Sequence, residues 1–263
     1  MVSWIVLLLT TGRSTNSHEN LSIGGKEDIS YRKQLRRFFL ARFSAEDVLG
    51  LHLTLGIAII IGATALFNQI AEFAVYRELN EIDRQVTQMV QDFASRSLTI
   101  VMLVITHAHS TIVATPIAVA IFFYFVKKRL RSWALIFSLT VGGGMLLNVL
   151  LKNLFQRARP TFEIPILTLT SYGFPSGHTM LATTFYGALC AFIVSTVNLW
   201  YWRLLAMLGA ALLIGLVGFS RIYLGAHYLS DVLAAMLEGL AWLTLCVTAV
   251  HTMSRWRKER RNR

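Results

Sequence analysis

Two cysteines in 263 residues are too few for a disulfide framework, and neither stands in a metal-binding spacing. Cys190 and Cys246 each sit in mid-run of an apolar segment, where a thiol reads as a small buried hydrophobe. Charge is also scarce. Only 15% of residues are Asp, Glu, Lys or Arg, against 55% apolar, and the mean hydropathy is +0.55. Soluble domains carry about 25% charged residues, so this balance excludes an ordinary soluble domain and points to an integral membrane protein. Acids are scarcer than bases, 14 against 25, which leaves a net charge of +11. That excess does not mark a nucleic-acid binder, because the bases gather at segment ends and termini and do not interleave with aromatics on a polar face. They read as topogenic charge facing anionic lipid. The chain also lacks the internal repeat that a transporter built from inverted halves would carry.

What is present is a series of apolar runs that predicts an all-α integral membrane protein, a bundle of six transmembrane helices. The predicted spans are residues 48–70, 111–126, 133–151, 179–197, 204–219 and 228–250. Residues 98–106 are apolar but too few to cross, and are expected to form a lip packed on the bundle. The domain plan is a polar and basic tail over 1–45, a membrane domain over 46–252 and a basic tail over 253–263. Within the first tail, residues 1–10 are too short to span and lack the basic flank of a signal peptide. Residues 32–39 form a basic amphipathic stretch suited to a membrane surface. Six alternating crossings put the Lys and Arg of the N-terminal stretch, of 127–131, of Arg203 and of 255–263 on one side. The loop over 71–97, richer in acids (Glu72, Glu78, Glu81, Asp83, Asp92), falls opposite. The charge rule then places both termini in the cytoplasm of a multi-pass plasma (inner) membrane protein, with Trp200, Tyr201 and Trp202 in the inner aromatic belt. Gly142 to Gly144, Gly215 and Gly218 are expected at close helix contacts.

On this map the chemistry-bearing residues collect at one membrane level. Lys152 ends the third span, followed by Arg159-Pro160; Pro175-Ser176-Gly177-His178 opens the fourth; Ser220-Arg221 closes the fifth; His227 and Asp231 open the sixth. Lys152, Arg159 and Arg221 supply three positive charges, two of them planar forks that match phosphate oxygens. Ser176 and Gly177 precede a helix, where backbone N–H groups and the dipole favour an anion. His227 and Asp231 are spaced i, i+4 and share a helical face, so the carboxylate can fix one ring nitrogen and leave the other free to attack. His178, arriving on another helix, can donate a proton to a leaving oxygen. Three neighbouring cations would repel a divalent ion, so a metal on these histidines is disfavoured and no cofactor is expected.

Lys152-x6-Arg159-Pro160, Pro175-Ser176-Gly177-His178 and Ser220-Arg221-x5-His227-x3-Asp231 together resemble the three-part signature of the type 2 phosphatidic acid phosphatase family, which includes the vanadium haloperoxidases. The resemblance implies a metal-independent phosphatase acting on a membrane lipid phosphate. It implies His227 as nucleophile forming a phosphohistidine, Asp231 as its orienter, and His178 as the acid that protonates the leaving group. Lys152, Arg159, Ser176, Gly177 and Arg221 are implied phosphate ligands. The site would face the extracytoplasmic side. Undecaprenyl diphosphate, phosphatidic acid, phosphatidylglycerophosphate and lipid A phosphates all fit, with the carrier-lipid diphosphate favoured. The alternatives are a phospholipid transporter, disfavoured because the cations sit at helix ends on one side, and a non-hydrolytic lipid-phosphate binder, which leaves the His–Asp pair unexplained. Six spans exclude a soluble haloperoxidase.

Several polar residues outside the signature have plainer readings. Arg157 reads as interface charge, and His52, His107 and His109 as structural. Glu238 lies seven residues after Asp231 in mid-span, and an intramembrane carboxylate is a functional candidate; the favoured reading is a protonated bundle residue. Glu238→Gln is therefore expected to keep activity in a phosphate-release assay, and a hundredfold loss in a normally folded variant, on the order expected for a group in the chemistry, would overturn that reading.

Overall fold

The computed structural model describes residues 48–76, 79–160 and 171–261. The predicted N-terminal tail and its basic stretch, and the side chain of His52, lie outside the described residues. The described chain is helical: α1 (Val48–Tyr76), α2 (Leu79–Asp92), α3 (Arg96–Ala108), α4 (Thr111–Lys127), α5 (Arg131–Phe155), α6 (Gly177–Thr196), α7 (Trp200–Tyr223) and α8 (Leu229–Arg261). Five of these, α1 and α5 to α8, are long and apolar enough to cross a membrane. At 17 residues α4 is the shorter sixth, and its rise of about 25 Å sits at the low end of the spanning range.

For residues 98–106 the helical context is longer than the apolar run: together with α2 they are long and apolar enough for one broken span or a re-entrant loop. They belong to α3, which is bent by 120° from α2. Tyr223 pins the bend: its hydroxyl accepts from Ser95 N at 3.1 Å and lies 3.1 Å from Thr99 Oγ1. The loop predicted over 71–97 is thus largely helix. α2 turns Asp83 and Thr87 inward, one turn apart, and leaves Ile82 and Met89 exposed.

α6 is the centre of the bundle and packs on α5, α7 and α8. Its sequence suits that place, since Thr179, Ala182, Thr183, Thr184 and Ala188 are small and buried. Thr183 and Thr184 return their hydroxyls to the carbonyls of Thr179 and Met180, so these two donors are satisfied locally in the apolar interior. Two clusters anchor the ends. At the basic end, Phe125, Trp133, Phe137 and Phe192 meet edge to face, with centroids 4.9–5.9 Å apart. At the other end Phe174 packs between Phe67 of α1 and Phe155 of α5, at 5.8 and 5.2 Å. That buried ring fixes the polar turn that follows it. Because neighbouring helices run antiparallel, Lys127, Arg131, Arg203 and Arg255 share the end remote from this turn. Trp200, Tyr201 and Trp202 stand exposed there.

The glycine expectation divides. Cβ atoms built on Gly143, Gly144 and Gly218 would lie 2.7, 2.9 and 2.7 Å from Trp242, Thr184 and Val232, so these three do serve close helix contact. Gly142 and Gly215 face open space and do not. Gly218→Ala should therefore lower the thermal unfolding midpoint in detergent, by overpacking worth about 1–3 kcal/mol, while Gly215→Ala leaves it unchanged. Equal midpoints for the two variants would contradict this contact.

Candidate active site

Three connections deliver the site. The first is the C-terminus of α5 with the residues that follow it, 156–160, and those that precede α6, 171–176. Lys152 lies in the last helical turn and donates from Nζ to Tyr172 O at 2.6 Å. Arg159 is spread over the facing loop: Nε donates to Ser171 O at 2.6 Å, Nη2 to Ser171 Oγ at 2.9 Å and Nη1 to Ala226 O at 2.7 Å. Both cations are thereby held by neutral acceptors, which leaves their charge unspent.

The second connection is the start of α6. Ser176 is the N-cap residue and fully buried; its N–H is taken by Asp231 O at 3.1 Å, and its Oγ accepts from Thr179 Oγ1 at 3.0 Å. Only the hydroxyl proton of Ser176 is left to face an anion. Gly177 is needed for closeness: a Cβ there would stand 3.2 Å from Asn148 Oδ1 and 3.8 Å from Lys152 Cε. His178 follows within electrostatic reach of Arg221, His227 and Arg159.

The third connection, α7 to α8, is the tightest. α7 ends in a Schellman motif, in which Gly225 N bonds Ile222 O at 2.9 Å and Ala226 N bonds Arg221 O at 2.9 Å. The motif needs a left-handed residue, and Gly225 supplies it with φ +66°. This turn brings His227 back beside Arg221, whose carbonyl also accepts from His227 N at 3.2 Å. Arg221 is buried, donates from Nη1 to Thr106 Oγ1 at 2.6 Å, and keeps Nε without a hydrogen-bond partner. A buried guanidinium donor of this kind is costly unless something accepts from it.

His227 is buried at 1% exposure. Its Nε2 stands 3.1 Å from Arg159 Nη1. Guanidinium can only donate, so Nε2 carries the lone pair and the neutral ring holds its proton on Nδ1. Nδ1 faces Asp231 Oδ2 at 3.4 Å, longer than a made hydrogen bond. The carboxylate is engaged elsewhere: Oδ2 accepts from Tyr228 N at 2.9 Å and Oδ1 from Arg157 Nη1 at 2.6 Å. Asp231 thus closes half a capping box at the start of α8 while facing the imidazole. Such contacts commonly tighten only in the substrate complex.

The structure therefore gathers His227, Asp231, Arg159 and Arg221 directly, with Lys152, His178, Ser176 and Gly177 on the adjoining helix ends. It corrects the reading of Arg157, which is no interface charge: it is buried, pairs with Asp83 and Asp231 at 2.8 and 2.6 Å, and lies over the Tyr228 ring at 4.8 Å. Asp83 was missed altogether, since nothing in the acidic loop over 71–97 singles it out. Thr106 was missed because it is one hydroxyl at the end of the apolar run 98–106, with no polar pattern around it. Glu238 is buried beside a cavity of about 250 Å³ lined by Phe67, Leu151 and Trp242, apart from the His227 contacts. His109 is buried and stacks on Tyr186 at 5.1 Å, in keeping with a structural role. A larger cavity of about 700 Å³ between α1, α2 and the Arg157 loop shares only Arg159 with the signature residues. Among the described residues no three His, Cys, Asp or Glu side chains are grouped to hold a metal ion.

A family model described as the PAP2 superfamily matches residues 131–255, the segment that carries the eight signature residues. Phosphatidylglycerophosphatase B of Bacillus subtilis is 36% identical over 146 residues, 53% of this chain and 69% of its own length. The chain belongs to the PAP2 superfamily. Undecaprenyl-diphosphatase of Sulfolobus acidocaldarius is 30% identical over 124 residues, 45% of this chain and 55% of its own. Among solved structures, a transmembrane PAP2 type phosphatidylglycerolphosphate phosphatase from Bacillus subtilis superimposes with a TM-score of 0.63 at 29% identity. It covers 71% of this chain and 93% of that one.

Electrostatics sharpen the picture at the two site groups outside the spans. Burial is the main cause that holds the Arg159 guanidinium below its usual range, with Asp231 opposing. Burial also pushes the His227 imidazole down to about 3, Asp231 opposing and Arg159 and Arg221 adding to the shift. A histidine whose folded value lies below its ordinary 6.5 binds its proton more weakly when folded, so its contribution to stability is full above 6.5 and is lost as pH falls toward 3. In detergent, this PAP2 protein should lose thermal stability relative to His227→Asn as the pH is lowered from 6.5 to 4. Parallel melting curves for the two proteins would refute a buried neutral imidazole.

Proposed function

We propose that this protein, a lipid phosphatase of the PAP2 superfamily, hydrolyses phosphatidylglycerophosphate at the extracytoplasmic membrane face through a phosphohistidine on His227. The observation that carries the reading is the His227 ring itself. Its attacking nitrogen is turned toward Arg159, beside an Arg221 donor that lacks a partner, while the opposite nitrogen faces Asp231.

The substrate phosphate takes the place of Nε2 as the acceptor for Arg159 and adds the missing acceptor for Arg221. Lys152 and the Ser176 hydroxyl complete the cradle, and Gly177 lets the backbone approach. Nε2 then attacks phosphorus while the P–O bond to the lipid breaks, and His178 gives its proton to the departing alkoxide. The incoming phosphate charge favours the protonated form of His178 that this step needs. Asp231 stabilises the positive ring that forms as Nε2 bonds to phosphorus, in the manner of the aspartate beside a catalytic histidine in serine hydrolases. Water then attacks the phosphohistidine, His178 takes back a proton, and inorganic phosphate and neutral His227 are released. The cationic cluster and the Asp231 carboxylate are both in place before the substrate arrives, so little reorganisation is needed as charge develops.

The substrate assignment is supported by the Bacillus subtilis relative, which exceeds the Sulfolobus one in identity and in share of length. The name of the Sulfolobus relative supports undecaprenyl diphosphate as the second substrate to try. The extracytoplasmic face follows from the charge rule, since the basic loop ends lie opposite the site. Purified protein in detergent with EDTA should release phosphate from phosphatidylglycerophosphate, and His227→Ala should release none. Quenching in alkaline detergent is expected to trap a phosphoenzyme in the wild type that is stable to base and lost in acid or hydroxylamine, and His178→Ala should form it slowly. Full activity of His227→Ala would displace the nucleophile. Binding of both lipids without release by the wild type would favour the binder or transporter reading.

A further inference from the structure

The mechanism above uses Asp231 but leaves unexplained how a carboxylate with 0% exposure stays charged and aimed while its histidine partner is neutral. A buried carboxylate without a cation takes up a proton or costs several kcal/mol. The cation here is Arg157, from the loop between α5 and α6. One amino group reaches Asp231 Oδ1 at 2.6 Å and Ser230 Oγ at 2.7 Å; the other reaches Asp83 Oδ2 at 2.8 Å. Asp83 comes from α2. Its Oδ1 accepts from Ser230 N at 3.0 Å, and its Oδ2 also accepts from Ser230 Oγ. Ser230 and Asp231 are consecutive residues in the first turn of α8, so a single planar guanidinium and one distant carboxylate grip both sides of that turn.

We propose that Asp83 and Arg157 are positioning residues of the catalytic site, acting through Asp231; the proposal rests on the phosphatase reading above. The reason for two residues is electrostatic. Arg157 alone would fix Asp231 yet cancel its charge, leaving little field to stabilise the positive ring formed during phosphoryl transfer. With Asp83 on its far side the row reads minus, plus, minus, and a net negative charge still faces His227. The guanidinium fork spans two carboxylates, which one ammonium group on a flexible stem cannot do with the same geometry. The Tyr228 ring at 4.8 Å restricts the guanidinium plane further. A helix outside the matched segment 131–255 thereby contributes to the chemistry.

The test is a mutant cycle on the full-length protein in detergent, using phosphatidylglycerophosphate and undecaprenyl diphosphate, with thermal unfolding followed in parallel. Arg157→Gln and Asp83→Asn should each lower kcat by roughly ten- to a hundredfold through misplacement of the carboxylate, with KM changed by less than about threefold. Arg157→Lys should recover only part of the loss. In an Asp231→Asn background, Arg157→Gln should cost less than about threefold more, because the residue through which it acts is already gone. If Arg157→Gln does not fold, Asp83→Asn and the charge-balanced double variant Asp83→Asn/Arg157→Gln decide the matter on the same readouts. Folded variants with kcat within twofold of wild type, or losses that multiply fully with Asp231→Asn, overturn the positioning role. Absence of phosphate release by the wild type from either lipid overturns the phosphatase reading and this proposal with it, an outcome visible before any variant is compared.

Discussion

Lys152, Arg159 and Arg221 are held together at one end of an apolar bundle, and their mutual repulsion is the constraint that the surrounding structure answers. Among the described residues, none of the three is paired with a carboxylate in direct contact. Tyr172, Ser171 and Ala226 offer carbonyls, and Thr106 a hydroxyl, so the cations are fixed in place with their charge intact. Neutral acceptors are the means by which a protein stores positive charge for a ligand. The nearby carboxylates, Asp231 and Asp83, are committed to Arg157, a fourth cation that takes up the acidic charge. Two populations of charge thus lie side by side: a row paired through Arg157 beside the imidazole, and a cluster held by neutral acceptors, which on the proposed function would receive the phosphate.

The apolar scaffold makes this arrangement possible because it cannot relax. α6 fills the middle with small residues whose hydroxyls are satisfied locally, so neighbouring helices approach closely and their ends keep fixed separations. Phe174, wedged between Phe67 and Phe155, ties the polar turn to α1 and α5. The Schellman turn at Gly225 places His227 within reach of the Arg221 carbonyl and the Arg159 side chain. The α7–α8 connection is short, and each connection ends beside a signature residue.

The neutral state of His227 follows from the same geometry. Complete burial, with Arg159 and Arg221 close by, outweighs the attraction of Asp231 and leaves a lone pair on Nε2. Arg159 holds that lone pair, and an incoming phosphate offers Arg159 a stronger, charged acceptor. On the proposed function, binding of the phosphate and release of the Nε2 lone pair for attack would be one event.

The sequence by itself determined the membrane class, the helical bundle and the eight signature residues. The reason is that apolar runs and helix-end polarity are local properties, and residues at the ends of antiparallel spans meet whatever the packing details. Glu238 was likewise placed within the last helix, whereas His107 and His109, read as the start of the second span, stand in the last turn and at the C-cap of α3. What the sequence did not decide was which polar residues share a cavity across distant segments. Arg157 looked like interface charge and Asp83 like one more acid in a polar loop, because neither belongs to a periodic pattern or lies beside its partner in the chain. Only folding of α2 back over the α8 N-terminus brings Asp83 and Ser230 within 3.0 Å across 147 residues. The division of the glycines was tertiary as well: Gly215 and Gly218 are one turn apart on α7, but only Gly218 faces a neighbour at 2.7 Å. Local chemistry wrote the elements and their ends; packing of one helix against another chose which charges would be spent on each other and which kept for the ligand.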